Sequence, residues 1–226
     1  MPGVAGVAFA RSPAREVSLR QTTATVVIRA VARVVVAAFA AAVAVAPAAR
    51  ADVAEPRTGV KFPEKVGETT LLGVGLRTKT ILKVKVYAIG LYVADGALAG
   101  SLKGHTGATL YRELVWGDFA KEVHLRLVRD VSASQMQESI REALEKADKA
   151  RVDTFVSYFG DIKTGQEYVL RWAPGGTLET VANGTPKPPI ADKNFAAAVF
   201  GIWLGDDPIQ DDIKRELITR APALTK

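Results

Sequence analysis

LLGVGLRTKTILKVKVYAIGLYV, residues 71–93, decides how the rest of the chain reads. In its second half one alternate set is Val84, Val86, Ala88 and Tyr92, and the other is Tyr87, Ile89, Leu91 and Val93. Side chains alternate across a strand, so beyond Lys85 both faces are apolar, as expected of an inner strand covered on each side. Thr69 to Arg77 reads as the strand before it, joined to Val84–Ala94 by a short turn. That first strand ends on Arg77, and a guanidinium left unpaired in an apolar interior is costly. Its planar fork suits bidentate contact to a carboxylate. Tyr87, on the neighbouring strand, is placed to face the same space with a phenolic hydroxyl. Three fates are open to Arg77: lining a pocket, pairing with an internal carboxylate such as Glu113 or Glu122, or reaching solvent from its strand end.

Outward from this pair, Val60–Phe62, Thr109–Val115 and Glu122–Val128 also read as strands. In the last, Val123, Leu125 and Leu127 alternate with Glu122, His124 and Arg126, the pattern of a strand with one wet face. The period changes at Ser132. With Gln135 three residues on it forms a capping-box signature, and Met136, Ile140, Ala143, Leu144 and Ala147 follow at helical spacing. Val152, Phe155, Val156 and Phe159 continue that spacing after a break near Lys149, and Gly160 is a stop. Glu167–Ala173 and Thr177–Ala182 flank Pro174-Gly175-Gly176 as a hairpin. Pro186, Pro188 and Pro189 then argue against regular structure. Asp192 caps a helix with Phe195, Val199, Ile202 and Trp203 on one stripe and Gly205 at its end, and Asp211–Thr219 reads as a last short helix. The class is α+β, an antiparallel sheet with helices on one face.

The 226 residues carry 30 Lys+Arg and 24 Asp+Glu, a formal net charge of +6, and are 48% hydrophobic, the composition of a globular chain. The charge is unevenly spread. Val34–Ala49 has no polar side chain, Arg29 and Arg33 precede it, and Ala49-Arg50-Ala51 follows. A basic flank, an apolar run and a small-residue site are the pattern of a secretory signal peptide. The run is shorter than the ~20 residues of a spanning helix, and Pro47 interrupts it. The expected division is a signal peptide with an extended N-terminal region over residues 1–51, cleaved before Asp52, and one domain over 52–226, periplasmic or secreted, with no stable membrane span after cleavage. Residues 1–51 hold six Arg and Glu16, leaving 24 basic and 23 acidic residues in the remainder. That near-neutral body has no basic run, which argues against a nucleic-acid partner.

Cys is absent, which excludes disulfides, thiolate metal sites and a cysteine nucleophile. With His105 and His124 the only histidines, no metal centre is expected, nor any cofactor. The G-x-G at Gly73 and Gly75 leads into a strand and not a helix, so it lacks the context of a phosphate-binding loop. His124 and His105 read as structural or solvated, and Asp206-Asp207 and Asp211-Asp212 as helix-start charges.

The 71–93 segment closely resembles the signature of the chalcone isomerase superfamily, an L-G-x-G-x-R strand turning into a strand ending Y/T-A-x-G-x-Y. The likeness extends through the helix at Ser132, the EYVLRWAPGGTLETVANG hairpin (167–184) and IADKNFAAAVFGIWLG (190–205), covering most of Lys61 to Leu217. It implies an open-faced β-sandwich, with a ligand cleft between a large antiparallel sheet and a layer of helices. The superfamily includes enzymes that close the flavanone ring and non-catalytic fatty-acid binders. By resemblance, Arg77 matches the arginine that polarises substrate oxygen. Tyr87 replaces the enzyme's threonine with the residue type of the fatty-acid binders, and Thr185 matches the enzyme's late threonine. Met136 and Ala143 stand where the enzyme has a tyrosine and an asparagine, so two polar groups of plant-type cyclisation are missing. The expectation is a binder of a fatty acid, a similar amphipathic carboxylate or a polyketide-like molecule, with Arg77, Tyr87 and Thr185 as ligand-binding residues. The alternatives are an isomerase (intramolecular lyase) on an enone-like substrate with Arg77 as its catalytic electrophile, and an interaction module with a filled core.

Overall fold

The computed structural model describes residues 51–79 and 82–226, so the expected signal peptide lies outside the described residues except for Ala51. A short two-stranded sheet pairs β1 (Asp52–Ala54) with β2 (Lys61–Pro63). The main sheet comprises β3 (Lys65–Val66), β4 (Thr69–Lys79), β5 (Val84–Ala94), β6 (Lys121–Leu127), β7 (Glu167–Ala173), β8 (Thr177–Ala182), β9 (Thr185–Pro186) and β10 (Ile190–Ala191). Its order is β10-β8-β7-β6-β5-β4-β3, with β9 also against β8, and every pairing is antiparallel. The inner strand read from sequence is β5, with β4 and β6 on its two sides. The proline-rich stretch is more ordered than its sequence suggested: β9 and β10 both pair with β8 at the sheet's edge, where a missing N–H is tolerated.

Helices interrupt the meander. Between β5 and β6 come α1 (Asp95–Ala99) and α2 (Gly107–Trp116); between β6 and β7 come α3 (Ala133–Ala143) and α4 (Lys149–Val156). After β10 follow α5 (Lys193–Leu204), α6 (Asp211–Glu216) and α7 (Ala221–Leu224). The capping box at Ser132 forms, and Asp148 and Asp192 cap α4 and α5 by accepting from Arg151 N and Phe195 N. α5 is the most deeply set, with Phe195, Val199, Phe200 and Trp203 all buried. One core joins the helices to the inward face of the sheet, from Ile89, Leu91 and Val93 across Val123 and Leu125 to Leu170 and Trp172.

The segment Thr109–Val115, expected as a strand, is instead most of α2. TLYRELV fits both periods: Leu110, Arg112 and Leu114 alternate, but Leu110 and Leu114 also stand one helical turn apart. The helix buries Leu110, Leu114 and Val115, and it packs against α5.

The outer face of β6 also differs from expectation, because it is not wet. Glu122 is 1% exposed and His124 8%. Phe62 covers part of this face, with Leu71, Ala88 and Tyr92 beneath it, and the register sets opposite charges side by side. Glu122 lies opposite Arg171 and Arg126 opposite Glu167. Arg171 donates to Glu122 from Nε (2.9 Å) and lies within 2.8 Å through Nη2, and Arg126 Nε donates to Glu167 at 2.9 Å. His124 sits between the carboxylates, its Nδ1 3.2 Å from Glu167 and its Nε2 3.5 Å from Glu122. Burial pushes the imidazole pKa down, but hydrogen bonding and charge from Glu122 and Glu167 outweigh it and hold it above its ordinary 6.5. Burial pushes both carboxylates up, and contacts with His124 and the arginines bring them below their ordinary 4.5.

The sign of the resulting pH dependence follows from these directions. His124 contributes stability fully below pH 6.5 and loses it as pH rises through its higher folded value, whereas the two glutamates contribute above 4.5 and lose it as pH falls. His124→Gln is expected to destabilise the protein by about 1–2 kcal/mol between these limits. The loss should shrink on the alkaline side. Urea unfolding of both proteins from pH 4 to 9 checks it, and a pH-independent difference would refute a charged His124. Taking the difference cancels the opposing titration of Lys121, which burial lowers to about 7 beside Trp172.

Candidate functional site

The site begins with the spacing of residues 73, 75 and 77 on β4. All three point to the helix side, and the two glycines let the chain at Glu216 and Leu217 lie directly on the strand. A Cβ on Gly73 would stand 2.3 Å from Glu216 O. The next position on that face is Arg77, which the register sets opposite Tyr87 on β5. Arg77 Nη1 donates to Ile209 O at 2.9 Å and to Gln210 Oε1 at 3.4 Å. Gln210 is itself clipped to β4, accepting from Thr78 N (3.0 Å) and donating to Leu76 O (3.2 Å). Among the described residues Arg77 has no carboxylate partner; Glu122 is taken by Arg171 and His124. Of the three fates open to it, Arg77 takes the first and lines a cavity.

Tyr87 is 7% exposed, and its oxygen accepts from Trp203 Nε1 at 3.0 Å. Burial pushes its pKa up, with Trp203 and the Arg77 charge only partly opposing. The phenol therefore keeps its proton, and because the indole uses an oxygen lone pair, that proton is free to donate. Arg77 and Tyr87 meet on one wall of a cavity of about 300 Å³ between sheet and helices. Val86 and Leu125 form the sheet wall, Met136, Ile140 and Phe159 the facing wall, and Trp203 the α5 side. Lys79, Arg129, Gln135 and Ser139 add polar atoms to the lining. A second cavity of about 710 Å³ shares Arg77, Lys79 and Ser139, but its wall carries carboxylates, among them Glu142, Asp206 and Asp207.

The arrangement offers a guanidinium and a phenol as paired donors at one end of an apolar chamber. That suits an oxyanion or carboxylate attached to an apolar body. Thr185 does not join it: it is exposed on β9 at the outer edge of the sheet and lines neither cavity, so its inclusion among the ligand-binding residues is corrected. Met136 and Ala143 do line the chamber, so the long helix presents apolar groups at those two positions. Trp203 is not legible in the sequence as the partner of Tyr87, because its place on an apolar helical stripe reads as core. Ile209 and Gln210 carry no local signal either. Among the described residues no cluster of three or more His, Asp or Glu side chains is placed to hold a metal ion, and no helix is long and apolar enough to cross a membrane.

Residues 54–219 match the family model described as chalcone isomerase-like. Fatty-acid-binding protein 2 of Arabidopsis thaliana is 26% identical over 204 residues, a match spanning 76% of this chain and about half (51%) of the relative. Fatty-acid-binding protein 1 of the same plant is 28% identical over 204 residues, covering 78% of this chain and 72% of the relative. A chalcone–flavanone isomerase of Glycine max is 26% identical over 200 residues, covering 73% and 92%. The crystal structure of an Arabidopsis thaliana fatty-acid-binding protein superposes with a TM-score of 0.66 at 22% identity, over 77% of this chain and 99% of that one, which establishes the shared fold.

Proposed function

The chain belongs to the chalcone isomerase-like family, and we propose that its inner cavity binds a fatty acid or similar amphipathic carboxylate, with Arg77 and Tyr87 at the acid group. The observation that carries this reading is Arg77 without a carboxylate partner among the described residues, beside a protonated phenol, at the wall of an apolar chamber. The acid supplies the missing counter-ion, and each methylene buried against Met136, Ile140 and Phe159 contributes about 0.8 kcal/mol. The names of the fatty-acid-binding relatives support the same ligand class.

Relatives named as isomerases keep a second reading in view, in which Arg77 polarises an enone oxygen. The apolar Met136 and Ala143 weigh against it, since neither moves a proton. Native mass spectrometry of the purified chain is the test: a co-purifying acid of one narrow mass range is expected. An empty chain that also fails to bind added decanoate, or one that turns over an enone, would overturn the binding reading. The apolar run at Val34–Ala49 supports export as part of the same proposal, and N-terminal sequencing of the protein from its host should begin at Asp52.

A further inference from the structure

The inner cavity holds more positive charge than a carboxylate uses. Its lining brings together Arg77 and Lys79 from β4 with Arg129, just after β6, and contains no Asp or Glu. Strand register explains the convergence. Tyr87 near the start of β5 lies opposite Arg77 on one side and Leu127 on the other, so the ends of β4 and β6 bring all three cations to one end of the sheet. None of them makes an ion pair among the described residues. Asp130, adjacent to Arg129, is engaged by Lys163 Nζ (3.0 Å) and Thr164 N (2.9 Å). Neutral groups complete the set. Ser139 Oγ lies 3.4 Å from Lys79 Nζ, and Gln135 spends its Oε1 on Ser132 N, which leaves its amide N–H groups free.

A carboxylate brings one negative charge and two oxygens, which Arg77 and Tyr87 satisfy between them. Lys79 and Arg129 are then surplus. A phosphomonoester carries roughly −1.5 to −2 charges and three free oxygens, enough to engage all three cations. Resting on the amphiphile-binding reading above, we propose that the preferred ligand is a phosphomonoester of an alkyl or acyl chain, its phosphate held jointly by Arg77, Lys79 and Arg129.

Calorimetric titration of the purified full chain with decyl phosphate and decanoate tests it. Decyl phosphate is expected to bind at least about tenfold more tightly at low ionic strength. In Lys79→Gln/Arg129→Gln the ratio of the two affinities should fall to near one. Both side chains are exposed, so the variant should fold, and each single substitution should show part of the loss. In 1 M salt, where the screening length is about 3 Å, the native ratio should shrink. Equal affinities, or a preference that survives the double substitution, would overturn the phosphate proposal while the carboxylate reading stands. Decyl phosphate binding without decanoate binding would support the phosphate proposal and refute the carboxylate reading, and binding of neither would refute both.

Discussion

Arg77→Ala is expected to weaken decanoate binding by about 2–3 kcal/mol, roughly 30- to 150-fold, because it removes the charged donor that stands beside Tyr87, a loss that Lys79 and Arg129, on the same lining but exposed to solvent, offset only in part. The effect has a competing structural explanation. Arg77 also donates to Ile209 O and Gln210 Oε1, so its loss loosens the segment that covers this end of the cavity. Gln210→Ala separates the two. It releases the same segment from Thr78 N and Leu76 O while keeping the guanidinium, and is expected to cost stability, about 1 kcal/mol, with less than tenfold loss of binding. Equal losses of binding in the two variants would reduce Arg77 to a clip. Tyr87→Phe should fall between them, since it deletes the second donor of the proposed acid site and also strands the buried Trp203 N–H. Affinity by calorimetry and melting temperature, measured together on all three, decide which role each side chain has.

What could be read from the chain alone follows the range of the interaction. The two apolar faces of β5, the capping box at Ser132, the Asp192 cap and the hairpin around Gly175 are set by residues within a few positions of one another, and the structure has each of them. Arg77 and Tyr87 were legible as a pair because one turn joins their strands. α2 was misread where two periods fit seven residues equally well. The burial of Glu122 and His124 depends on Arg171 and Glu167, more than forty positions away, and no local pattern carries that register. Ile209 and Gln210 lie further still from Arg77, and their approach is made possible by glycines whose purpose is visible only in three dimensions. Thr185 was placed by resemblance, through a proline-rich segment whose path along the outer edge of β8 carries it away from the cavity.

Gly73→Ala is expected to destabilise the protein by about 3 kcal/mol or more, because the new methyl has nowhere to go. It would stand 2.3 Å from Glu216 O, 2.6 Å from Leu217 C and 2.7 Å from Leu217 O, all backbone atoms, so no side-chain rotation relieves the clash. The overlying chain is also fastened there, Arg220 donating to Leu72 O from its N (2.9 Å) and to Leu71 O from Nη1 (3.0 Å). Neither Gly73 nor Gly75 has a positive φ, so the requirement is for space and not for backbone freedom. Gly75→Ala should be milder, about 1–2 kcal/mol, since its nearest neighbour is the Glu216 carboxylate at 3.1 Å, a side-chain end that can shift, though only against its bonds from Arg57 Nη2 (2.6 Å) and Leu76 N (3.3 Å). Gly90→Ala, facing Phe62 Cδ1 at 2.8 Å and Leu71 Cδ1 at 3.2 Å on the opposite face of the sheet, should fall between the two. At about 2–4 °C per kcal/mol for a chain of this size, melting temperatures resolve the series. A further consequence ties packing to the site. Lifting Glu216 and Leu217 off β4 moves the chain that carries Ile209 and Gln210, so Gly73→Ala should lose ligand affinity under conditions where it is still folded, whereas Gly90→Ala, acting through the other face, should not. Equal ligand affinity in folded Gly73→Ala would show that the Arg77 clip does not depend on how closely the C-terminal segment approaches the strand.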